Sequence, residues 1–354
     1  MAWRSFLLSS ISLLLISGSG VVLAQTQLLA QSPAVLQTPV DNAGVYRVNA
    51  RLVTVDAQVR EKKNGHAVTG LTTRDFEIFE DKVPQQISSF SQDELPLSVV
   101  LLFDLTDSVR PVLKPLADGA LDALQHLKPQ DEVAVMAYSA TAQLLEDFTT
   151  DRSRTVEAIK RASRMESSEA AFFNEGMFQA AARLARSGRR GNRRVIIWLT
   201  DDIPNYPSDE IRRRYGRSLG KAKLHSEKEA TEELWRTGTV VCTLLQTSQI
   251  SDNEFSLRMS KAGETMLNKM LYPPGDVHKY AQATGGQVVE GSSRRIDQRL
   301  ASLIDDIRMR YTLAYHPAGE KPKGKFCAIE VKLAPETRKA HQDAVVEARA
   351  GYYR

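Results

Sequence analysis

Four oxygen-bearing side chains have the type and spacing of a hard-cation site: Asp104, Thr106, Ser108 and Asp201. Asp104, Thr106 and Ser108 alternate along one short segment and offer a carboxylate and two hydroxyls. Ions such as Mg2+ want oxygen ligands, often take only a few of them from protein, and keep water for the rest. Asp201 begins a second acidic pair, Asp201-Asp202, well downstream.

Both groups sit where a buried strand would end. Val99 to Phe103 is an unbroken apolar run that stops on Asp104, and Val195 to Leu199 is another that stops at Thr200-Asp201-Asp202. A short continuous apolar run bounded by polar residues has the pattern of a strand covered on both faces. In an open parallel sheet the carboxyl ends of the strands form the ligand crevice. Two such strands side by side would bring Asp104 and Asp201 to one site.

The rest of the chain supplies the matching helices. Leu113, Leu116, Ala120, Leu124 and Leu127 recur at helical spacing after the first acidic loop. Helices are also predicted over 155–165, 177–186, 208–236, 277–283 and 296–309, with strands over 131–138, 240–245 and 287–290. Strands alternating with helices predict a doubly wound, mostly parallel α/β sheet over residues 96–310. Residues 45–93 read instead as short strands: an alternating segment from Tyr46 to Val59, a Lys62-Lys63-Asn64-Gly65 turn followed by extended chain, and strands near Phe76, Val83 and Ile87. Residues 311–354 return to strands over 311–315, 325–333 and 345–349. Each end is too small to bury much alone, so the two are expected to pair in one small β module beside the α/β domain.

DLTDS at 104–108 has the D-x-[ST]-x-S spacing of the metal-ion-dependent adhesion site of von Willebrand factor type A domains, and LTDD at 199–202 resembles that family's second acidic loop. LTTRDFEIFED at 71–81, QISSF at 86–90, YTLAYHP at 311–317 and Ala350-Gly351-Tyr352-Tyr353 resemble the exported acidobacterial VWFA-related domain family. The resemblance implies that Asp104, Thr106, Ser108 and Asp201 hold Mg2+ or Mn2+, directly or through water. It also implies protein–protein or adhesive recognition, with a carboxylate from a protein partner completing the metal shell. One departure stands against it. The family's threonine before a helix falls on Ala171, or with a shift of one residue on Ala170, and neither offers a ligand atom. Ser167, Ser168 and Asn174 are nearby substitutes, and Asp107 adds a carboxylate to the first loop. The other reading is a degenerate site in which Asp104 and Asp201 act as cap or turn residues, within an envelope scaffold that recognises partners without metal.

Arg4, the apolar stretch from Phe6 to Ile16 and Val22-Leu23-Ala24 form a secretory signal over 1–24, followed by a linker over 25–44. An exported protein, periplasmic or secreted, is therefore expected, with no membrane span after cleavage. The alternative of an uncleaved anchor has an apolar stretch that is short for a span. The formal charge of +4 is too small to argue for nucleic acid. The basic runs 186–194 and 212–217 read as solvated faces. Cys242 lies in an apolar run and Cys327 in a separate terminal segment, which favours two buried thiols over a disulfide. No H-E-x-x-H, phosphate loop or nucleophile elbow occurs, so no enzyme is expected.

Overall fold

The computed structural model describes residues 52–63, 65–92, 95–106, 108–139, 141–166, 172–201, 225–246, 276–290, 296–319 and 321–354. The signal segment, the linker, Asp107, Asp202, residues 167–171 and the second basic run lie outside the described residues. So does most of the charged helix expected over 208–236, of which the structure describes Glu227–Thr237.

In chain order the strands are β1 (Val53–Glu61), β2 (Phe76–Glu80), β3 (Val83–Gln85), β4 (Ile87–Ser91), β5 (Leu97–Asp104), β6 (Glu132–Tyr138), β7 (Ala142–Thr149), β8 (Arg193–Thr200), β9 (Val240–Leu245), β10 (Val288–Glu290), β11 (Tyr311–Tyr315), β12 (Phe326–Leu333), β13 (Ala344–Ala348) and β14 (Gly351–Tyr353). The helices are α1 (Arg110–Ala123), α2 (Arg152–Arg164), α3 (Phe173–Ser187), α4 (Glu227–Thr237), α5 (Val277–Thr284), α6 (Ile296–Arg308) and α7 (Pro335–Ala340). Among the described residues, no helix is long and apolar enough to cross a membrane.

Six strands form the central sheet in the order β10-β9-β8-β5-β6-β7. The first five are parallel and β7 joins antiparallel at the edge. All eight residues of β5 are buried, as expected of a strand covered on both faces. Its odd residues Val99, Leu101 and Phe103 pack with Leu116, Ile159 and Ile304 of α1, α2 and α6. Its even residues Val100 and Leu102 pack with Met177, Leu234 and Tyr280 of α3, α4 and α5. This is the doubly wound α/β arrangement, with the period-two alternation of each strand feeding two cores.

Sheet β13-β1-β11-β4 and sheet β14-β12-β2-β3 each combine early and late strands, and they enclose a third core containing Val55, Ile78, Tyr311, Tyr315 and Val331. Several sequence expectations need correction here. The edge strand β7 was not expected, and neither was α7; β14 is a separate strand after the one expected over 345–349. Among the described residues, Arg60 forms an isolated bridge with Ala67, and the Val68 amide donates to the Val59 carbonyl at 2.8 Å. Cys242 and Cys327 are both buried free thiols, in different cores.

Arginines join the module to the α/β domain. Arg193, at the start of β8, donates to both carboxylate oxygens of Asp56 on β1 (3.2 and 3.4 Å), to Thr312 Oγ1 (3.3 Å) and to the carbonyl of Ile307. Burial alone would raise the Asp56 pKa, but Arg193 and Arg310 outweigh it and hold the carboxyl below its usual range. Arg310 is fully buried and donates to Gln58 Oε1 (3.2 Å) and to the carbonyls of Gly285 and Glu347. The basic run at 186–194 is therefore only partly a solvated face. Gly285 ends α5 at φ 71°, and a Cβ there would lie 2.4 Å from the backbone of Ala348, so glycine permits this close approach.

Candidate functional site

The carboxyl ends of β5, β6 and β8 meet at one edge of the central sheet. The register places Asp104 opposite Tyr138 and Phe103 opposite Leu199, so Thr200 and Asp201 emerge beside Asp104. The loop after β5 is pinned by two buried apolar residues, Leu105 and Val109. The Leu105 amide donates to the Tyr138 carbonyl at 2.8 Å, and the Val109 amide donates to the Thr106 carbonyl at 3.2 Å. Between these anchors, Thr106 and Ser108 turn toward Asp104 and Asp201.

All four residues singled out from the sequence come together. The Thr106 amide donates to Asp104 Oδ1 at 3.0 Å. Thr106 Oγ1 and Ser108 Oγ are 3.0 Å apart, and Ser108 Oγ donates to Asp201 Oδ1 at 3.3 Å. The Thr106 amide and the two hydroxyls thus link one carboxylate to the other. Asp104 and Asp201 are both buried, at 2% and 4% exposure.

Three further residues shape the site and were not assigned to it from sequence. Asp104 Oδ2 accepts hydrogen bonds from Thr200 Oγ1 (2.7 Å) and from Tyr138 OH (2.8 Å). Trp198 Nε1 in turn donates to the Tyr138 oxygen at 2.9 Å. The α3 helix closes on this group because it carries Gly176, where a Cβ would lie 2.7 Å from the Tyr138 ring. Phe173 stacks on Trp198 with ring centroids 6.0 Å apart, and Tyr280 meets Trp198 edge-on at 6.1 Å. The signal for Tyr138 and Thr200 was available: each ends a strand predicted to lie in the same parallel sheet as Asp104. Asn174, a candidate substitute ligand, instead accepts a hydrogen bond from Tyr280 OH at 2.7 Å. Ala170, Ala171, Ser167 and Ser168 lie outside the described residues.

The electrostatics suit a cation. Burial pushes the Asp104 carboxyl above its ordinary range, and the hydrogen bonds from Thr200, Tyr138 and Thr106 offset this only in part. Among the described residues Asp104 has no cationic partner; its partners are two hydroxyls and a backbone amide. A buried carboxylate without a counter-charge is costly. An all-oxygen donor set with two carboxylates fits a hard divalent ion. Tyr138 is pushed well above the usual phenol range by burial and by the Asp104 charge, so it stays a hydrogen-bond donor.

Residues 99–203 match the family model described as the von Willebrand factor type A domain. No curated protein matches. Among solved structures, a von Willebrand factor type A protein from Catenulispora acidiphila is similar at 10% identity and a TM-score of 0.42, covering 82% of this chain and 72% of its own. BatB from Bacteroides thetaiotaomicron is similar at 14% identity and a TM-score of 0.39, over 59% of this chain and 99% of its own. The vWF domain of the type V pili tip protein Mfa5 from Porphyromonas gingivalis is similar at 10% identity and a TM-score of 0.39, over 65% and 99%.

Proposed function

We propose, from the premise that this chain carries a von Willebrand factor type A domain, that it is an exported recognition protein, periplasmic or secreted. In this reading it binds a protein partner through a divalent cation, Mg2+ or Mn2+, and is not an enzyme. The observation that carries the proposal is the hydrogen-bonded chain Asp104–Thr106–Ser108–Asp201 at the ends of adjacent parallel strands.

Asp104, Thr106, Ser108 and Asp201 are the residues that would hold the ion. When bound, it supplies an electrophilic centre with a coordination position that a partner carboxylate can fill. The chain's own residues do the rest. Leu105 and Val109 fix the loop, Thr200 and Tyr138 orient Asp104, and the two hydroxyls add ligand atoms without adding negative charge. Few anionic ligands leave the centre underneutralised, which favours an acidic surface on the partner.

Calorimetric titration of the protein with Mg2+ and Mn2+, beside an Asp104→Ala variant, tests this. Saturable binding that vanishes in the variant is the expected result. Absence of binding in both proteins would sink the metal-dependent reading and leave a metal-free envelope scaffold, a reading supported by the alanines at 170 and 171.

A further inference from the structure

The two oxygens of Asp104 are not equivalent. A carboxylate has about four acceptor positions, two on each oxygen. Oδ2 uses both of its own, on Thr200 Oγ1 at 2.7 Å and Tyr138 OH at 2.8 Å. Oδ1 uses one, on the Thr106 amide at 3.0 Å. The remaining acceptor capacity therefore lies on Oδ1 alone.

The donors on Oδ2 are fixed. An indole N–H can only donate, so the Tyr138 oxygen accepts from Trp198 Nε1 at 2.9 Å and its single proton is directed to Asp104. Tyr138, Thr200 and Trp198 are 1%, 1% and 2% exposed. The Tyr138 ring lies against Gly176, and Trp198 is held between Phe173 and Tyr280. The phenol therefore has no room to swing aside and release the second oxygen.

We propose that Tyr138 and Thr200 determine which cation the site accepts, by holding Asp104 to donation through one oxygen. Ca2+ gathers about six to eight oxygens and commonly takes a carboxylate through both of its oxygens, whereas Mg2+ keeps a small octahedral shell with single-oxygen contacts and water. Blocking Oδ2 removes a ligand that a larger ion would use and a smaller one does not need. Tyr138 and Thr200 are positioning residues here, acting through Asp104. The proposal rests on the metal-dependent reading of the site.

The test is calorimetric titration of the full chain with Mg2+, Mn2+ and Ca2+ in turn. Wild type is compared with Tyr138→Phe, Thr200→Val and the double variant, each checked by its melting curve. Wild type should prefer Mg2+ and Mn2+ over Ca2+. Each single variant should narrow that ratio by about tenfold, the scale of one hydrogen bond to a charged group, and the double variant should narrow it further. Thr200→Val carries the test alone if Tyr138→Phe does not fold. Phe173→Leu loosens the same aromatic packing without removing a donor to Asp104, and it should leave the ratio unchanged. An unaltered ratio in the Tyr138 and Thr200 variants, with Mg2+ binding retained, overturns the proposal and leaves the metal site standing. A shift of equal size in Phe173→Leu also overturns it, because packing alone would then explain selectivity. Failure of every protein to take up any cation removes the underlying reading, and the proposal with it.

Discussion

Replacing Arg193 by methionine should show how firmly the β module is joined to the α/β domain. The guanidinium side chain is fully buried, and its partner Asp56 is 20% exposed. Arg193→Met keeps the aliphatic stem but strands the carboxylate, which retains the Thr312 hydroxyl (2.9 Å) and the field of Arg310. It also strips donors from the Ile307 and Arg310 carbonyls. Removing one member of a buried pair costs about 3–5 kcal/mol. The partial exposure of Asp56 and its surviving partners put the expected loss at the lower end, about 3 kcal/mol. In urea this would lower the unfolding midpoint by about 1 M or more, with an unchanged slope. Asp56→Asn together with Arg193→Met should lose less than the two single variants summed, with a coupling of about 2 kcal/mol. The pH dependence has a definite sign. The folded-state pKa of Asp56 is lowered, so its contribution is present above the ordinary value near 3.8 and disappears as the pH falls through the folded value. Wild type and Arg193→Met should therefore converge in acid. A loss under about 1 kcal/mol, additive behaviour with Asp56→Asn, or curves that stay parallel into acid would refute the reasoning.

Two further outcomes follow from the same physics. The Asp104 pKa is raised on folding, so its contribution is fully present below the ordinary value of 3.8 and is lost as the pH rises through the folded value; at neutral pH the ionised group is a cost to the cation-free protein. Asp104→Asn should lose Mg2+ uptake, and its cation-free melting temperature relative to wild type should improve as the pH rises from acid to neutral, because the wild-type charge cost appears only there; a difference that does not change with pH would contradict the buried-charge argument. Burial pushes the Cys242 thiol up to about 11. An aromatic disulfide reagent should then leave it untouched in the folded protein at mildly alkaline pH and label it on addition of denaturant, and rapid labelling of folded Cys242 would show that β9 is not closed.

The parts of the molecule that could be read from sequence are those whose surroundings are uniform. β5 and β8 are apolar on both faces, and their buried runs declared themselves. Asp104, Thr106, Ser108 and Asp201 stood out because each interrupts or follows such a run. β7 did not, since its residues are half-exposed and carry Glu146 and Asp147, which pair with Arg154 and Arg183. β14 has three residues and gains its identity only from pairing with β12. Tyr138 looks like one more apolar residue of its strand until the register sets it opposite Asp104. Arg193 shows the converse error. Charge in a basic run reads as solvated surface, yet Arg193 is buried because Asp56, far away in the chain, supplies its partner.

The pairing of β1 with β13 matters for how the chain comes to be folded. Ala57 lies opposite Ala348, with the whole α/β domain threaded between them. Contacts of such separation form late, because the long loop must close before they return any stability. During synthesis, β1 waits for partners that emerge only after the six-stranded sheet has been made. Its backbone donors and acceptors are open through that interval, when an extended segment from another chain could pair with them instead. The α/β domain, whose contacts are closer in sequence, can close first and shorten the gap, bringing the two ends within reach. Folding order is thereby built into the connectivity: the central sheet is the template, and the module is the seam that closes over it.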